Sequence, residues 1–220
     1  HLTSLLPYMN DYWQDQVTTR GMTDLVSQSY PTNSPISSRP DWRPGQGKPG
    51  SDLADMRKQA LDRFGTAYGI CNPLYGVQMV FSEDMQDAFC RALNDWLARE
   101  WLDKDDRLRG SIVIPTQSVE KSVAEIERCA KDKRFVQVLM LVMGDMPLGK
   151  RACWPIYAAA ERLGLTIGIH AGSAYHNPPT SIGWGSYHIE DYVAQATAFQ
   201  TQLTSLIAEG VFAKYPKLKM

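Results

Sequence analysis

The chain has 220 residues and a formal net charge of −1 at pH 7, so it can bury a sizeable core as one domain. Because positive and negative side chains are nearly equal in number, we expect no basic face, which argues against nucleic acid and anionic membrane surfaces as partners. No apolar run is long enough to cross a bilayer and no signal-peptide pattern opens the sequence, so we expect a cytoplasmic protein. The four cysteines lack CxxC spacing, which predicts free thiols rather than disulfides.

The N-terminal fifty residues divide into a predicted helix and a long loop. Apolar residues at spacings of three and four predict a helix over 2–20, with Trp13 in the core. Residues 30–50 carry five prolines and three glycines, so no regular element is expected there. This Pro/Gly-rich loop is either a lid or subunit contact anchored by Trp42, or a passive surface loop.

The rest of the chain alternates between helix and strand patterns. Helices are predicted at 51–64, 82–102, 118–129, 154–163 and 189–209, and strands at 67–71, 111–115, 135–143 and 165–173. Residues 215–220 resemble the approach to a further strand. Ser51 or Asp52, Ser82 and Ser118 are the expected N-caps of the first three helices.

This alternation predicts an α/β fold with a parallel sheet, either an open doubly wound sheet or a (β/α)₈ barrel. No GxGxxG sequence follows a strand, so dinucleotide binding has no support. A closed barrel needs about 250 residues, and this sequence begins in a helix and stops while entering a strand. We therefore expect residues 1–220 to form a single partial domain, a TIM-like (β/α)₈ barrel incomplete at both ends of the sequence.

The predicted strand at 165–173 draws attention because it ends on His170, followed by small residues. In parallel α/β folds, chemistry collects at the carboxyl ends of the strands. A neutral imidazole there can bind a metal or move a proton, and the small residues let other groups approach closely. The alternative is a structural histidine in a strand-end loop.

The loops after the other strands carry further candidates for substrate binding. Asn72 and Tyr75 follow the first predicted strand, Asp145 follows the third, and His176 follows the fourth. Asn72 precedes a proline in a common turn pair, and Tyr75 could simply cover its loop. Asp145 could cap a turn, and His176 could lie in solvent.

Four stretches of the sequence carry a family resemblance. They are Arg39-Pro40-Asp41-Trp42-Arg43-Pro44, Asn72-Pro73-Leu74-Tyr75-Gly76, residues 120–128, and Gly168-Ile169-His170-Ala171-Gly172. Together they resemble the amidohydrolase superfamily, in the amidohydrolase-related group that includes aminocarboxymuconate-semialdehyde decarboxylase and the resorcylate decarboxylases. The resemblance covers essentially the whole chain and is specific for the group, not for a substrate.

The resemblance implies a TIM-like barrel with a divalent metal, which we expect to be Zn²⁺, at its carboxyl mouth. His170 matches the family's metal-binding histidine at the end of the fifth strand. The first-strand HxH or DxH motif is not present, and the family's sixth-strand catalytic histidine and eighth-strand aspartate fall beyond Met220. Catalytic zinc usually takes three protein ligands, so His170 alone is not expected to hold the ion tightly.

The activity implied by the resemblance is that of a metal-dependent hydrolase or a non-oxidative decarboxylase, acting on a small carboxylated or cyclic, aromatic substrate. A divalent ion can generate hydroxide or polarise a carboxylate, and the sequence does not choose between these roles. The alternative, favoured by the missing first-strand motif, is a metal-free binding or scaffold protein derived from a barrel. Aromatic residues in the loops suit an aromatic substrate or a dimer interface, and we expect a homodimer.

Overall fold

A computed structural model describes residues 1–25, 39–42, 50–173, 178 and 180–220, apart from the side chains of Ser173 and His188. Its centre is a sheet of four parallel strands in sequential order. The strands are β1 (Gly69–Cys71), β2 (Leu108–Val113), β3 (Phe135–Met143) and β4 (Thr166–Ser173). A doubly wound sheet reverses its strand order at a switch point, whereas a barrel does not, so the observed order favours the predicted barrel.

Helices connect the strands and flank them. They are α1 (Asp11–Thr19), α2 (Leu53–Met56), α3 (Glu83–Leu97), α4 (Val119–Cys129), α5 (Trp154–Leu163), α6 (His188–Ala208) and α7 (Val211–Lys214). Wider π-helical turns extend α2 over Arg57–Asp62 and α3 over Ala98–Leu102. Within the part of the chain that the structure describes, no helix is long and apolar enough to span a membrane.

The main core lies between the sheet and helices α4 and α5. Ile112, Val138 and Ile167 come from three neighbouring strands and are at most 1% exposed. They belong to one apolar cluster with Ile126 of α4 and Tyr157 of α5. Because successive side chains of a strand point to opposite faces, the intervening residues of each strand face away from these helices.

The predicted helix starts are confirmed by their capping hydrogen bonds. The side chains of Asp52, Ser82 and Ser118 accept from the backbone N–H groups three residues later, as N-caps do. The predicted end of α5 is confirmed as well, since Gly164 adopts a φ of 71° immediately after it. Strand β3 has the predicted bounds, 135–143.

The single helix predicted over 2–20 is wrong. The structure has a 3₁₀ helix over Leu2–Tyr8 and then a separate helix, α1. The break occurs because the side chain of Asn10 accepts from the backbone N–H of Trp13 and starts a new helix. Trp13 is only half-buried, packed against a second core cluster that includes Leu2, Leu5 and Phe89.

The Pro/Gly-rich loop at 30–50 lies outside the described residues except at 39–42 and 50. The prediction that no regular element forms there is wrong at Pro40–Trp42, which make one 3₁₀ turn. The Trp42 ring lies 6.1 Å from the ring of Phe64, and the Arg39 guanidinium lies 5.5 Å from the Trp42 ring centre. Trp42 therefore packs on the segment before β1, and its role as an anchor of a lid or subunit contact stays a prediction.

The C-terminal residues approach the sheet beside β4. Lys219 forms a parallel bridge with Thr166, and the Ile167 N–H donates to the Lys219 carbonyl over 2.9 Å. The prediction that residues 215–220 approach a further strand is confirmed. Sequence order continues across the sheet without reversal at this edge.

Candidate functional site

The predicted site residues are distributed along one edge of the sheet. Asn72 follows β1, Asp145 follows β3, and His170 lies within β4, which continues for three residues beyond it rather than ending there as predicted. Because the strands are parallel, their carboxyl ends meet at the same edge, so these three positions share it. Tyr75 lies in the loop after β1, and His176 lies outside the described residues.

His170 is half-buried on β4, beside Leu141 of β3. Its Nδ1 lies 2.5 Å from the carbonyl oxygen of Ala171. A carbonyl oxygen can only accept, so a hydrogen bond here uses a proton on Nδ1 and leaves Nε2 facing away from this contact. A histidine that binds a metal commonly has this arrangement, with one ring nitrogen donating to a backbone carbonyl. The geometry therefore fits the predicted metal-ligand role.

Three polar side chains from successive strands form a network on the sheet face opposite to α4 and α5. The Asn72 Oδ1 accepts from the Ser111 hydroxyl over 2.7 Å and from the Gln137 Nε2 over 3.1 Å. Gln137 Nε2 also donates to the Ser111 oxygen over 2.9 Å. Asn72 was predicted to bind substrate, and this network fixes the orientation of its amide group with Nδ2 left as a donor.

Gly168 brings β4 into the same network. A Cβ at this position would lie 2.3 Å from Gln137 Nε2, so only glycine leaves room for the Gln137 side chain. His170 lies two residues further along the strand on the same face, roughly 6.6 Å away. The polar network and His170 thus lie on one face of the sheet, with His170 nearer its carboxyl edge than Gln137.

Sequence reasoning missed Ser111 and Gln137. Gln137 is the one polar residue in the apolar run of β3, and that interruption was the available signal. Ser111 is fully buried and gives no such signal by itself. The partners of both residues are set by strand register, in which Ser111 lies opposite Gln137.

Two buried glutamines hold the loop after β1 against the neighbouring strands. Gln78 Nε2 donates to the carbonyls of Ile114 and Leu139, each over 3.3 Å. Gln86 Nε2 donates to the Gln78 carbonyl over 2.9 Å. Since these bonds join the loop to the residue after β2 and to the middle of β3, they fix the position of the segment that begins at Asn72.

Tyr75 is half-buried in the same loop, and its hydroxyl donates to Asp24 Oδ1 over 2.5 Å. Burial, together with this hydrogen bond to a carboxylate, raises the pKa of Tyr75 well above its ordinary value. The phenol is therefore neutral at physiological pH. The Asp24 carboxylate also lies 3.9 Å from the His1 imidazole.

A cavity of about 660 Å³ lies beside β1, and both Asn72 and Tyr75 line it. Its volume is in the range of small-molecule sites. Neither His170 nor Asp145 is among the described residues of its wall. Cys71 lines it too, but burial raises the pKa of the Cys71 thiol to about 11, so this cysteine is not a thiolate near neutral pH. The apolar part of the wall is formed by Leu61, Leu93, Trp96, Leu97, Trp101 and Leu108.

The exit loop of β3 contains Asp145, which is exposed. The loop is held by α6, since Gln202 accepts from the Leu148 N–H over 2.7 Å and donates to the Val142 carbonyl over 2.8 Å. Helix α5 adds a hydrogen bond from the Tyr157 hydroxyl to the Leu148 carbonyl over 2.6 Å. The base of the loop is thus rigid, while Asp145 itself lies at the surface.

The described residues do not by themselves make a metal centre. Among them, no three His, Cys, Asp or Glu side chains lie close enough together to hold an ion. His170 could supply one ligand of such a site.

Four parallel strands in sequential order, with a histidine near the carboxyl end of the last, define a protein of the (β/α)₈-barrel class. The family model described as amidohydrolase matches residues 2–220, and the chain therefore belongs to the amidohydrolase family. This confirms the resemblance seen in the sequence.

Similar proteins have been characterised as decarboxylases. The gamma-resorcylate decarboxylase of Polaromonas sp. (strain JS666 / ATCC BAA-500) is 24% identical over 177 residues, covering 77% of this chain and 54% of that protein. The chain thus spans about half the length of the curated relatives it matches.

Solved structures show the same fold. The 5-carboxyvanillate decarboxylase of Sphingomonas paucimobilis matches with a TM-score of 0.64 at 22% identity, covering 77% of this chain and 50% of that one. A dihydroxybenzoic acid decarboxylase from Polaromonas sp. JS666, with bound manganese and the inhibitor 2-nitroresorcinol, matches with a TM-score of 0.56 at 25% identity, covering 76% and 53%. These likenesses confirm the predicted α/β barrel fold.

Proposed function

We propose that this chain acts in a metal-dependent, non-oxidative decarboxylase whose substrate is a hydroxylated aromatic carboxylate. The sequence left hydrolysis and decarboxylation open. The three similar proteins described above are all named as decarboxylases of benzoic acids that carry ring hydroxyl groups, which favours cleavage of a carbon–carbon bond. Such a reaction releases CO₂, and the ring carbon takes up a proton.

The observation that carries this proposal is the position of His170 on β4 and the contact of its Nδ1 with the Ala171 carbonyl. Its Nε2 is the proposed metal-binding atom, and its Nδ1 is held by the Ala171 carbonyl. Asn72 is proposed to donate from Nδ2 to an oxygen of the substrate, because its Oδ1 is already used within the network. Tyr75, Asp145 and His176 remain proposed substrate-binding residues, and the catalytic acid or base is left unassigned.

The proposed cofactor is a divalent metal ion. A similar structure contains manganese, so Mn²⁺ stands beside the Zn²⁺ expected from the resemblance. Because the described residues supply only His170, no step of the reaction is assigned to the ion here.

The remaining parts of the proposal concern the domain organisation, the oligomeric state and the cellular location. We propose that residues 1–220 act as one partial barrel domain and that the protein is a cytoplasmic homodimer with a small-molecule substrate. All four cysteines are free thiols, which suits a reducing compartment.

The proposal is tested on the full-length protein, which is incubated with Mn²⁺ and 2,6-dihydroxybenzoate while CO₂ and the decarboxylated phenol are measured and bound metal is determined by mass spectrometry. His170→Ala is expected to lower bound metal and turnover at least about tenfold. Thr166→Ala is the matched control, since Thr166 lies on the same face of β4 but at its amino end.

A full-length wild-type protein that neither binds metal nor releases CO₂ from this class of acid would contradict the proposal. Binding of the aromatic acid without metal and without turnover would favour the binding-protein alternative. Equal metal content in wild type and His170→Ala would remove His170 from the site.

A further inference from the structure

A β-bulge brings Gln137, the one polar residue of β3, into a row with the polar residues of the two preceding strands. Strands β2 and β3 pair with a register shift after Gly110, so Ser111 lies opposite Gln137 and not opposite Val136. Asn72, directly after β1, completes the row by accepting from both Ser111 and Gln137. Bulges commonly re-aim a side chain next to a functional site, which makes the purpose of this row worth deriving.

The hydrogen bonds in the row all run towards Asn72. Gln137 Nε2 donates to Asn72 Oδ1 and to the Ser111 oxygen, and the Ser111 hydroxyl donates to the same Oδ1. Because Oδ1 takes both donors, the Nδ2 group of Asn72 points away from the row as a donor. The Asn72 amide therefore reverses only if Gln137 changes from a donor to an acceptor.

Only one member of the row reaches the cavity beside β1. Asn72 is exposed and lines that cavity, whereas Ser111 is fully buried. Neither Ser111 nor Gln137 is among the described residues of the cavity wall. A ligand in this cavity therefore meets Asn72, and Gln137 acts on such a ligand through Asn72.

We propose that Gln137 is a positioning residue that makes the site select a carboxylate. A carboxylate can only accept hydrogen bonds, whereas a ring hydroxyl donates or accepts and so adapts to either orientation of an amide. Holding Asn72 Nδ2 as a donor thus favours the acid over the neutral phenol that remains after CO₂ is lost. This inference rests on the proposed function and names the substrate group that Asn72 recognises.

The test uses the full-length protein with Mn²⁺, with 2,6-dihydroxybenzoate as substrate and resorcinol, the corresponding phenol, as inhibitor. Gln137→Glu replaces the donor by an acceptor of nearly the same shape, so Asn72 should turn its Nδ2 inward and its Oδ1 towards the ligand. We expect KM for the acid to rise at least about tenfold with kcat changed less than about twofold. The inhibition constant of resorcinol should change less than about threefold.

The matched control is Gln16→Glu. It makes the same change on α1, where Gln16 accepts from Arg20, and is expected to leave KM, kcat and resorcinol inhibition unchanged.

A double-mutant cycle separates action through Asn72 from a direct effect of the new charge on the acid. In an Asn72→Ala background there is no amide to reverse, so Gln137→Glu is expected to have little further effect on KM. Gln137→Met removes the donor without adding charge, and it serves in the same cycle if the Glu variant fails to fold. Its expected rise in KM, about threefold, should also vanish in the Asn72→Ala background.

The outcomes distinguish this inference from the proposed function. If wild type turns over the acid, then an unchanged KM in Gln137→Glu, the same loss with and without Asn72, or an equal loss for resorcinol overturns the role of Gln137 alone. Absence of turnover in wild type contradicts the proposed function. The cycle is then measured as the Kd of 2,6-dihydroxybenzoate by calorimetry, where no binding, or a Kd that Gln137→Glu does not change, overturns this inference as well.

Discussion

Glu125 is the buried carboxylate on which the packing of α3 against α4 depends. It is fully buried, and its two oxygens accept from the guanidinium of Arg128 over 2.7 and 2.8 Å. One of them also accepts from Asn94 Nδ2 over 2.7 Å. Asn94 in turn bonds both the N–H and the carbonyl of Val113, the last residue of β2, over 2.9 Å each. Glu125 therefore supports the end of the strand through Asn94.

We expect Glu125→Ala to lower the free energy of unfolding by about 3 kcal/mol, because N–H donors of Asn94 and Arg128 lose their hydrogen-bond acceptor in the interior of the protein. Arg128 keeps its contact with Asp95, which limits the loss. Glu127→Ala, on the same helix, is the control: Glu127 is half-exposed and its pair with Arg162 is worth less than about 1 kcal/mol. Urea denaturation measures both, and similar losses would contradict the argument.

Gly168 can be tested through its close contact with Gln137. Alanine at Gly168 would push the Gln137 amide out of its bonds with Asn72 and Ser111, at an expected cost of about 1–2 kcal/mol. With Gln137→Ala already present, the added methyl group meets no side chain, and the cost should nearly vanish. A double-mutant cycle by chemical denaturation is expected to give a coupling of about 1 kcal/mol or more, and additive losses would show that the contact is not the cause.

At the scale of elements, local signals predict most of the fold. The bounds of β3 follow from an apolar run buried on both faces, and the starts of α3 and α4 follow from their capping serines. The break at Asn10 was missed because apolar spacing continues across it, and only the capping hydrogen bond to Trp13 reveals two helices. The polar network was missed because Ser111 and Gln137 are brought together by strand pairing, which periodicity does not determine.

The docking of α6 on the β3 exit loop depends on the absence of a side chain at Gly149. A Cβ there would lie 2.2 Å from the backbone carbonyl oxygen of Ser205, and a backbone atom cannot rotate away. Gly149→Ala is expected to displace the helix and lower stability by about 2–3 kcal/mol. Gly144→Ala is a matched control in the same loop, since a Cβ there meets nothing within 4 Å. Thermal denaturation of both variants distinguishes this contact from a general effect of replacing a loop glycine.

At the scale of the whole molecule, the strands of the sheet differ in length and in the number of neighbouring strands with which they pair. Strand β3 has nine residues and lies between β2 and β4, whereas β1 has three residues and pairs only with β2 in the described sheet. Ile70, at the centre of β1, is 52% exposed. Local opening requires less free energy where few buried contacts and few neighbouring strands oppose it. Strand β1, which Asn72 follows, is therefore the least protected of the four strands against local opening.

Native-state hydrogen exchange measures this difference directly. We expect the amides of β3 to exchange only through global unfolding, and those of β1 to exchange through a local opening that costs at least about 2 kcal/mol less. The Ile167 amide of β4 provides an internal control, because its bond to the Lys219 carbonyl protects it only while residues 217–220 remain on the sheet. Removing those four residues should accelerate exchange at Ile167 and leave β3 unchanged. Uniform protection of β1 and β3 would mean that the edge of β1 is covered in solution, and the cavity beside it would then be closed as well.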